Sequence, residues 1–268
     1  MTDRTTALIA GAGGLPAAVA ARLENPVICA LSGLAPEGLE TDLTFHFERL
    51  APFLRSLSGQ GVQRVGLVGA IARPKLDPAL FDRETAALVP ALMAALQGGD
   101  DGALRWFIEL IESYDMTVAG LTELAPDLLA GEGVLGARAP TPAEEADAAR
   151  GRAILQALDA VDVAQGCVVA SGLCLAVESI YGTDAMLGDV ARHRPEREPQ
   201  KGGVFTKRAK AGQDLRVDLP TIGPDTVTAA QAAGLTGIAL EAGKVVLFDR
   251  PALIAAADAA GIAVWASS

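Results

Sequence analysis

The chain has 268 residues, half of them hydrophobic, with 22 basic and 33 acidic side chains and a formal net charge of −11. That length can bury one large core or two small ones, and the acidic balance excludes a protein that lives on nucleic-acid phosphates, which needs a basic face to release counterions. No stretch approaches the ~20 apolar residues of a spanning helix, the opening MTDRTTALIAGAGG is charged too early for a signal peptide, and Cys29, Cys167 and Cys174 lack CxxC spacing, which excludes a thiolate zinc site and fits a reducing, cytoplasmic setting.

Short apolar or β-branched runs alternate with alanine-rich stretches. The pattern predicts an α/β fold: a Rossmann-like N-terminal domain with a mostly parallel sheet, then a mixed α/β C-terminal domain. Ala7 to Ala10 reads as a buried strand and Gly11-Ala12-Gly13-Gly14 as a tight turn, with Pro16 where a first helical turn tolerates a missing N–H. Val27 to Leu31 and Arg64 to Val68 read as further strands, the second running into Gly69-Ala70. Ligands of open parallel sheets sit beyond the carboxyl ends of strands at the switch point, so these two glycine-bearing ends are the candidate crevice. Leu76 to Tyr114 reads as mostly helical, with core-facing stripes at Leu88, Leu92 and Leu96 and at Leu104, Ile108 and Ile111. Met116 to Ala119 reads as a returning strand. Glycines and prolines then crowd a segment without periodicity, which places a first domain at 1–130, a linker at 131–141 and a second domain at 142–268.

Thr141-Pro142-Ala143-Glu144 combines a cap residue, a first-turn proline and an acid, and opens a long helix towards Val161. Cys167 to Ala170 and Leu173 to Val177 flank Ser171-Gly172 as a β-hairpin, and Ile238 to Glu241 with Val245 to Phe248 predict a second hairpin around Gly243. Pro251 to Ala260 predicts a helix and Ile262 to Trp265 a last strand. Between these elements lies the most polar stretch of the chain, GGVFTKRAKAGQDLRVDLPTIGPDT, residues 202–226.

Gly11 and Gly13 open a GxGxxG pattern. Pro16 stands at its third glycine, however, and no acid closes the strand Val27 to Leu31, which disfavours nicotinamide binding. Phosphate contact and a turn with no ligand are evenly balanced for these glycines. Arg73 and Lys75 either pair with a pyrophosphate or stay solvated. The central constellation is Lys207, Arg208 and Lys210, then Asp214, Arg216, Asp218 and Asp225. Phosphoryl chemistry asks for such a mixture: carboxylates hold Mg²⁺, cations take up phosphate charge, and a free carboxylate orients water. Glu178 and Asp184 add carboxylates, and Gly182-Thr183 offers N–H donors. The structural alternatives are concrete. Asp225 sits where a helix start favours an acid, and Asp214 and Asp218 on a strand would share one solvated face. Ser171 lies in a hairpin turn, not a nucleophile elbow, and His193 lies in a charged loop.

Several of these segments also carry a resemblance. IAGAGGLP, GDDGALRWFIELIE, GVLGARAPT, AVESIYGTDAML, KRAKAGQDLRVDLPTIGPDT and AGLTGIALEAG span the whole chain, and together they resemble the UDP-2,3-diacylglucosamine pyrophosphatase family of lipid A synthesis, of the soluble α/β type rather than the calcineurin-like type. The resemblance implies a Mg²⁺-dependent hydrolysis of UDP-2,3-diacylglucosamine to UMP and 2,3-diacylglucosamine 1-phosphate (lipid X), in two domains that enclose the substrate. It implies substrate contacts at Gly11, Ala12, Gly13, Gly14, Gly69, Ala70, Arg73, Gly182, Thr183, Gln213 and Thr221. Asp225, Asp214 and Lys207 take the catalytic roles, and Asp225, Asp214, Asp184 and Glu178 the metal. It also implies peripheral contact with the cytoplasmic face of the inner membrane, where the substrate resides, by a monomer or a homodimer. Two rivals come from other classes: a binding or regulatory module that senses a nucleotide or phospholigand without turnover, and an NAD(P)-linked oxidoreductase.

Overall fold

The computed structural model describes residues 5–71, 76–97, 99–196 and 199–268. The chain divides into two compact units, residues 1–126 and 127–268.

The first unit runs β1 (Thr6–Ala10), α1 (Leu15–Ala20), β2 (Val27–Leu31), β3 (Leu43–Phe45), α2 (Leu50–Gly59), β4 (Arg64–Val68), α3 (Arg83–Leu96), α4 (Gly99–Glu112), β5 (Thr117–Val118) and α5 (Leu121–Leu124). Its sheet has the order β3-β2-β1-β4-β5, and every pairing is parallel. A parallel sheet is covered on both faces, which is why TALIA and VICAL read as continuous apolar runs and why every residue of β1 is buried. On α2, Leu50, Leu54 and Leu57 are buried at helical spacing, and each such leucine contributes about 2 kcal/mol by leaving water. The two expected stripes differ in outcome. Ile108 and Ile111 of α4 are buried and Leu104 is half-buried, whereas of the α3 stripe Leu92 is buried and Leu88 and Leu96 are half-buried.

The second unit runs β6 (Gly133–Val134), α6 (Pro142–Leu158), β7 (Gly166–Ala170), β8 (Leu173–Val177), α7 (Gly182–His193), β9 (Val204–Lys207), β10 (Thr221–Ile222), α8 (Pro224–Ala232), β11 (Gly237–Glu241), β12 (Val246–Leu247), α9 (Arg250–Ala260) and β13 (Ala263–Ser267). Six strands form a mixed sheet, β6-β13-β11-β9-β7-β8, in which β9, β11 and β13 are parallel. β7 and β8 form the expected hairpin. Ser171 and Gly172 both take positive φ, as a tight two-residue turn requires, and both N–H groups donate to Asp147. The expected hairpin around Gly243 does not form. β11 already has β9 on one side and β13 on the other, so no edge is left, and the chain after Gly243 pairs instead with β10 as β12. Phe205 anchors the core between this sheet and α7, α8 and α9, with Leu187, Val227 and Leu253 around it.

The start of α6 is held by a capping box, Thr141 with Glu144, reinforced by Arg138 at 2.8 and 3.0 Å from the Glu144 carboxylate. Burial opposes the charge on Glu144, but the Arg138 guanidinium and the Thr141 N–H and hydroxyl outweigh it and pull the carboxyl down to about 2. Folded Glu144 is thus the stronger acid, and its contribution is present above the ordinary carboxyl value and lost as pH falls from there through about 2. Glu144→Gln is expected to cost on the order of 3 kcal/mol at pH 7 and almost nothing at pH 2. Urea midpoints across that range check it, and an equal cost at both ends would contradict it.

Candidate functional site

In the first unit, β1 and β4 are adjacent, so the two glycine-bearing strand ends meet. Ala12 and Ala70 form an antiparallel bridge, with the Ala12 N–H donating to the Ala70 carbonyl at 2.8 Å, and the Gly11 N–H donates to the Val68 carbonyl at 2.7 Å. The approach is close enough to exclude side chains. A Cβ on Gly11 would lie 2.5 Å from the Gly69 carbonyl carbon, and one on Gly69, whose φ is +94°, would lie 2.8 Å from the Ala12 carbonyl oxygen. Gly13 takes φ +87°, and Gly14 caps α1. The order β3-β2-β1-β4-β5 reverses direction between β1 and β4, so these residues lie at the switch point where open α/β sheets bind ligands. Arg73 and Lys75 lie outside the described residues.

In the second unit, Glu178 directly follows β8, β9 ends at Lys207, and α7 opens with Gly182 and Thr183. The structure brings three of the predicted residues together. Lys207 Nζ donates to Glu178 Oε1 and Oε2 at 2.9 and 2.8 Å and to Thr183 Oγ1 at 2.8 Å, while Thr183 Oγ1 donates to Glu178 Oε1 at 2.7 Å. Lys207 is 4% exposed. Gly166 makes room for the carboxylate, since a Cβ there would lie 2.9 Å from Glu178 Oε2 and 2.8 Å from the Phe205 ring.

The segment after Lys207 turns around Gln213, which is buried. Its Oε1 accepts from Gln165 Nε2 at 2.9 Å and from the Lys210 N–H at 3.1 Å, and its Nε2 donates to Asp218. Asp159 fixes the same loop from the end of α6, accepting from Arg208 Nη1 at 2.8 Å and from the Ala211 N–H at 3.1 Å. Burial works against the Asp159 charge, yet these donors hold its carboxyl below the usual range. Asp214 and Asp218 do not alternate along a strand. Residues 215–217 form a turn, and Asp214 wraps back onto Arg216, accepting from its N–H at 3.0 Å and pairing with its guanidinium at 2.7 Å. An Asx-type bond suits a turn better than an extended chain, which explains the difference. Asp184 and Asp225 are exposed in the first turns of α7 and α8, and Thr221 is exposed with its hydroxyl donating to the Leu219 carbonyl at 3.3 Å. The remaining candidates stay outside the chemistry. Burial pushes the Cys29 and Cys167 thiols up to about 12, so neither supplies a thiolate, and His193 is exposed against the Asp189 carbonyl.

Sequence reasoning missed Asp159, Gln165, Gly166 and β9 itself. VFTK was absorbed into the polar stretch, although it is a fully buried strand near the middle of the sheet. The signal available was its apolar pair Val204-Phe205 bounded by two glycines. Among the described residues no group of three or more His, Cys, Asp or Glu is arranged to hold a metal ion. Glu178 is engaged by Lys207 and Asp214 by Arg216, so as placed the four expected carboxylates do not make a ready Mg²⁺ ligand set, and no step is assigned to the ion.

A parallel sheet with a glycine-lined carboxyl edge, followed by a mixed sheet that buries a lysine and a carboxylate at its own strand ends, defines a two-unit α/β ligand-binding protein. Residues 5–128 match the LpxI N-terminal domain and residues 131–265 the LpxI C-terminal domain. The chain is also 34% identical, over 273 aligned positions covering 97% of its length and 96% of the relative's, to the UDP-2,3-diacylglucosamine pyrophosphatase LpxI of Caulobacter vibrioides. This chain belongs to the LpxI family.

Proposed function

We propose that this protein hydrolyses the pyrophosphate bond of UDP-2,3-diacylglucosamine to UMP and 2,3-diacylglucosamine 1-phosphate in lipid A synthesis. The observation that carries the reading is the likeness, end to end, to a protein named for that activity. The geometry supports it at both candidate sites. The bridged strand ends of the first unit, at Gly11 to Gly14 and Gly69-Ala70, are built of glycine and alanine alone, which suits close backbone approach to a substrate. In the second unit, Lys207 is held between Glu178 and Thr183, and Gln213 is fixed as an amide hub. A buried, fixed cation stabilises charge developing on phosphate without having to reorganise. Among the described residues the exposed carboxylate of Asp225 makes no ion pair of the kind that engages Glu178 and Asp214, and we assign it the water-activating role. Asp214 and Asp184 complete the acidic set, and Gly182, Thr183 and Thr221 flank the substrate.

The reaction is further proposed to require Mg²⁺ and to take place at the cytoplasmic face of the inner membrane by peripheral contact. Among the described residues no helix is long and apolar enough to cross a membrane. The non-catalytic reading, a nucleotide or phospholigand sensor, draws on the lack of a preformed carboxylate group among the described residues.

One experiment separates the two. Purified protein is expected to release UMP from UDP-2,3-diacylglucosamine with Mg²⁺, to stop in EDTA, and to slow at least ~100-fold as Asp225→Ala, the loss typical of a removed general base. No release in any tube would make the chain a binder. Release that ignores EDTA would remove the metal requirement and leave the hydrolysis standing.

A further inference from the structure

A cavity of about 240 Å³ lies in the second unit at the carboxyl ends of the parallel strands β9, β11 and β13, lined by Arg152, Gln156, Thr206, Arg208, Glu241 and Ser267 among others. Lys207 also lines it, so the cavity adjoins the Lys207 cluster. Side chains alternate across a strand, and while Lys207 sends its ammonium to Glu178 and Thr183, the neighbouring Thr206 faces α6 and lies against Gly151.

Three features suit it to an anion. First, carboxyl ends of parallel strands are where α/β sheets take ligands. Second, its charged lining includes one cation that no carboxylate answers among the described residues. Glu241 is answered by Lys244 at 2.7 Å and by the Ala209 N–H at 3.1 Å, and Arg208 is answered by Asp159. Arg152 is half-buried, makes no salt bridge among the described residues, and spends only a long 3.4 Å hydrogen bond on Ser267 Oγ. A cation withdrawn from water without a counter-charge is costly, and an incoming oxyanion relieves that cost. Third, the Thr206 hydroxyl is buried and has no hydrogen-bond partner, an exception that buried polar groups rarely allow. The volume falls below the ~300–1,000 Å³ of sites for drug-sized ligands, which fits a phosphate group on a small carrier rather than a whole nucleotide.

We propose that this cavity binds a phosphate or small phosphate monoester through Arg152, with Gln156 and Ser267 as hydrogen-bonding partners. The cavity adjoins Lys207, but Arg152, Gln156 and Ser267 are not among the residues assigned to hydrolysis. Inorganic phosphate, titrated against the whole chain at ionic strength matched with chloride, is expected to raise its Tm, as a ligand selective for the folded state must. Arg152→Ala is expected to weaken the apparent Kd about tenfold, the loss of one charge-assisted hydrogen bond, and to leave UMP release unchanged. Should Arg152→Ala fail to fold, Gln156→Glu places a like charge at an exposed helix position and is expected to weaken phosphate to the same degree. A parent chain whose Tm ignores phosphate, or variants with the parent's apparent Kd, would overturn the proposal. The binding measurement needs no turnover, so it stands or falls separately from the hydrolytic reading.

Discussion

Lys207→Met is expected to destabilise the second unit by about 3–5 kcal/mol, because it leaves the Glu178 carboxylate buried without its counter-charge. The size follows from the geometry. Both carboxylate oxygens and the Thr183 hydroxyl converge on one ammonium that is 4% exposed, so solvent cannot replace it. The pair is a different matter from its halves. Apolar residues of similar volume often replace a buried ion pair at little cost, so the double variant Lys207→Met with Glu178→Leu is expected to recover most of the lost stability. Urea midpoints of the three chains give that comparison. UMP release then isolates chemistry from folding: under the proposed function the double variant folds but remains at least ~100-fold slower, since no ammonium is left to meet the phosphate. A double variant as active as the parent would reduce Lys207 to a structural role.

What the sequence made legible divides along physical lines. Parallel strands buried on both faces write themselves as unbroken apolar runs, so β1, β2 and β4 stand out, and the glycine ends that follow β1 and β4 identify the switch point. Hairpin signals are local too, and Ser171-Gly172 gave a correct one. The pairing of β12 was not local. Whether Val245 to Phe248 folds back on β11 depends on whether β11 has a free edge, and β9, 30 residues earlier in sequence and hidden in a polar stretch, takes it. The same limit applies to the site. Charge type and spacing identified Lys207 and Glu178 as candidates, and the turn at Gly182-Thr183 added Thr183, but not that they bind one another, because that contact joins the ends of β8 and β9 and the start of α7. Asp159 and Gln165 were invisible for the same reason. An acid at a helix end and a glutamine before a strand look like surface residues until Arg208 and Gln213 are placed beside them.

Gly11→Ala is expected to cost about 3 kcal/mol, the upper end of ordinary overpacking, and to lower kcat/KM for UMP release at least tenfold. The added methyl would meet three backbone atoms within 2.7 Å, the Gly69 carbonyl carbon and oxygen and the Ala70 oxygen, and no rotamer can relieve a clash with backbone. The strand ends must part, which breaks the Ala12–Ala70 bridge and displaces the edge proposed to meet the substrate. Gly61→Ala supplies the comparison. It sits at positive φ, +86°, in the same unit, and a Cβ there meets nothing within 4 Å, so it carries the left-handed backbone penalty of about 1–2 kcal/mol alone and leaves kcat/KM as it was. If kcat/KM fell equally in the two variants, the loss would follow from destabilising the unit. A fall confined to Gly11→Ala would tie turnover to the shape of the strand ends, since the activity would then track the broken bridge rather than the stability lost.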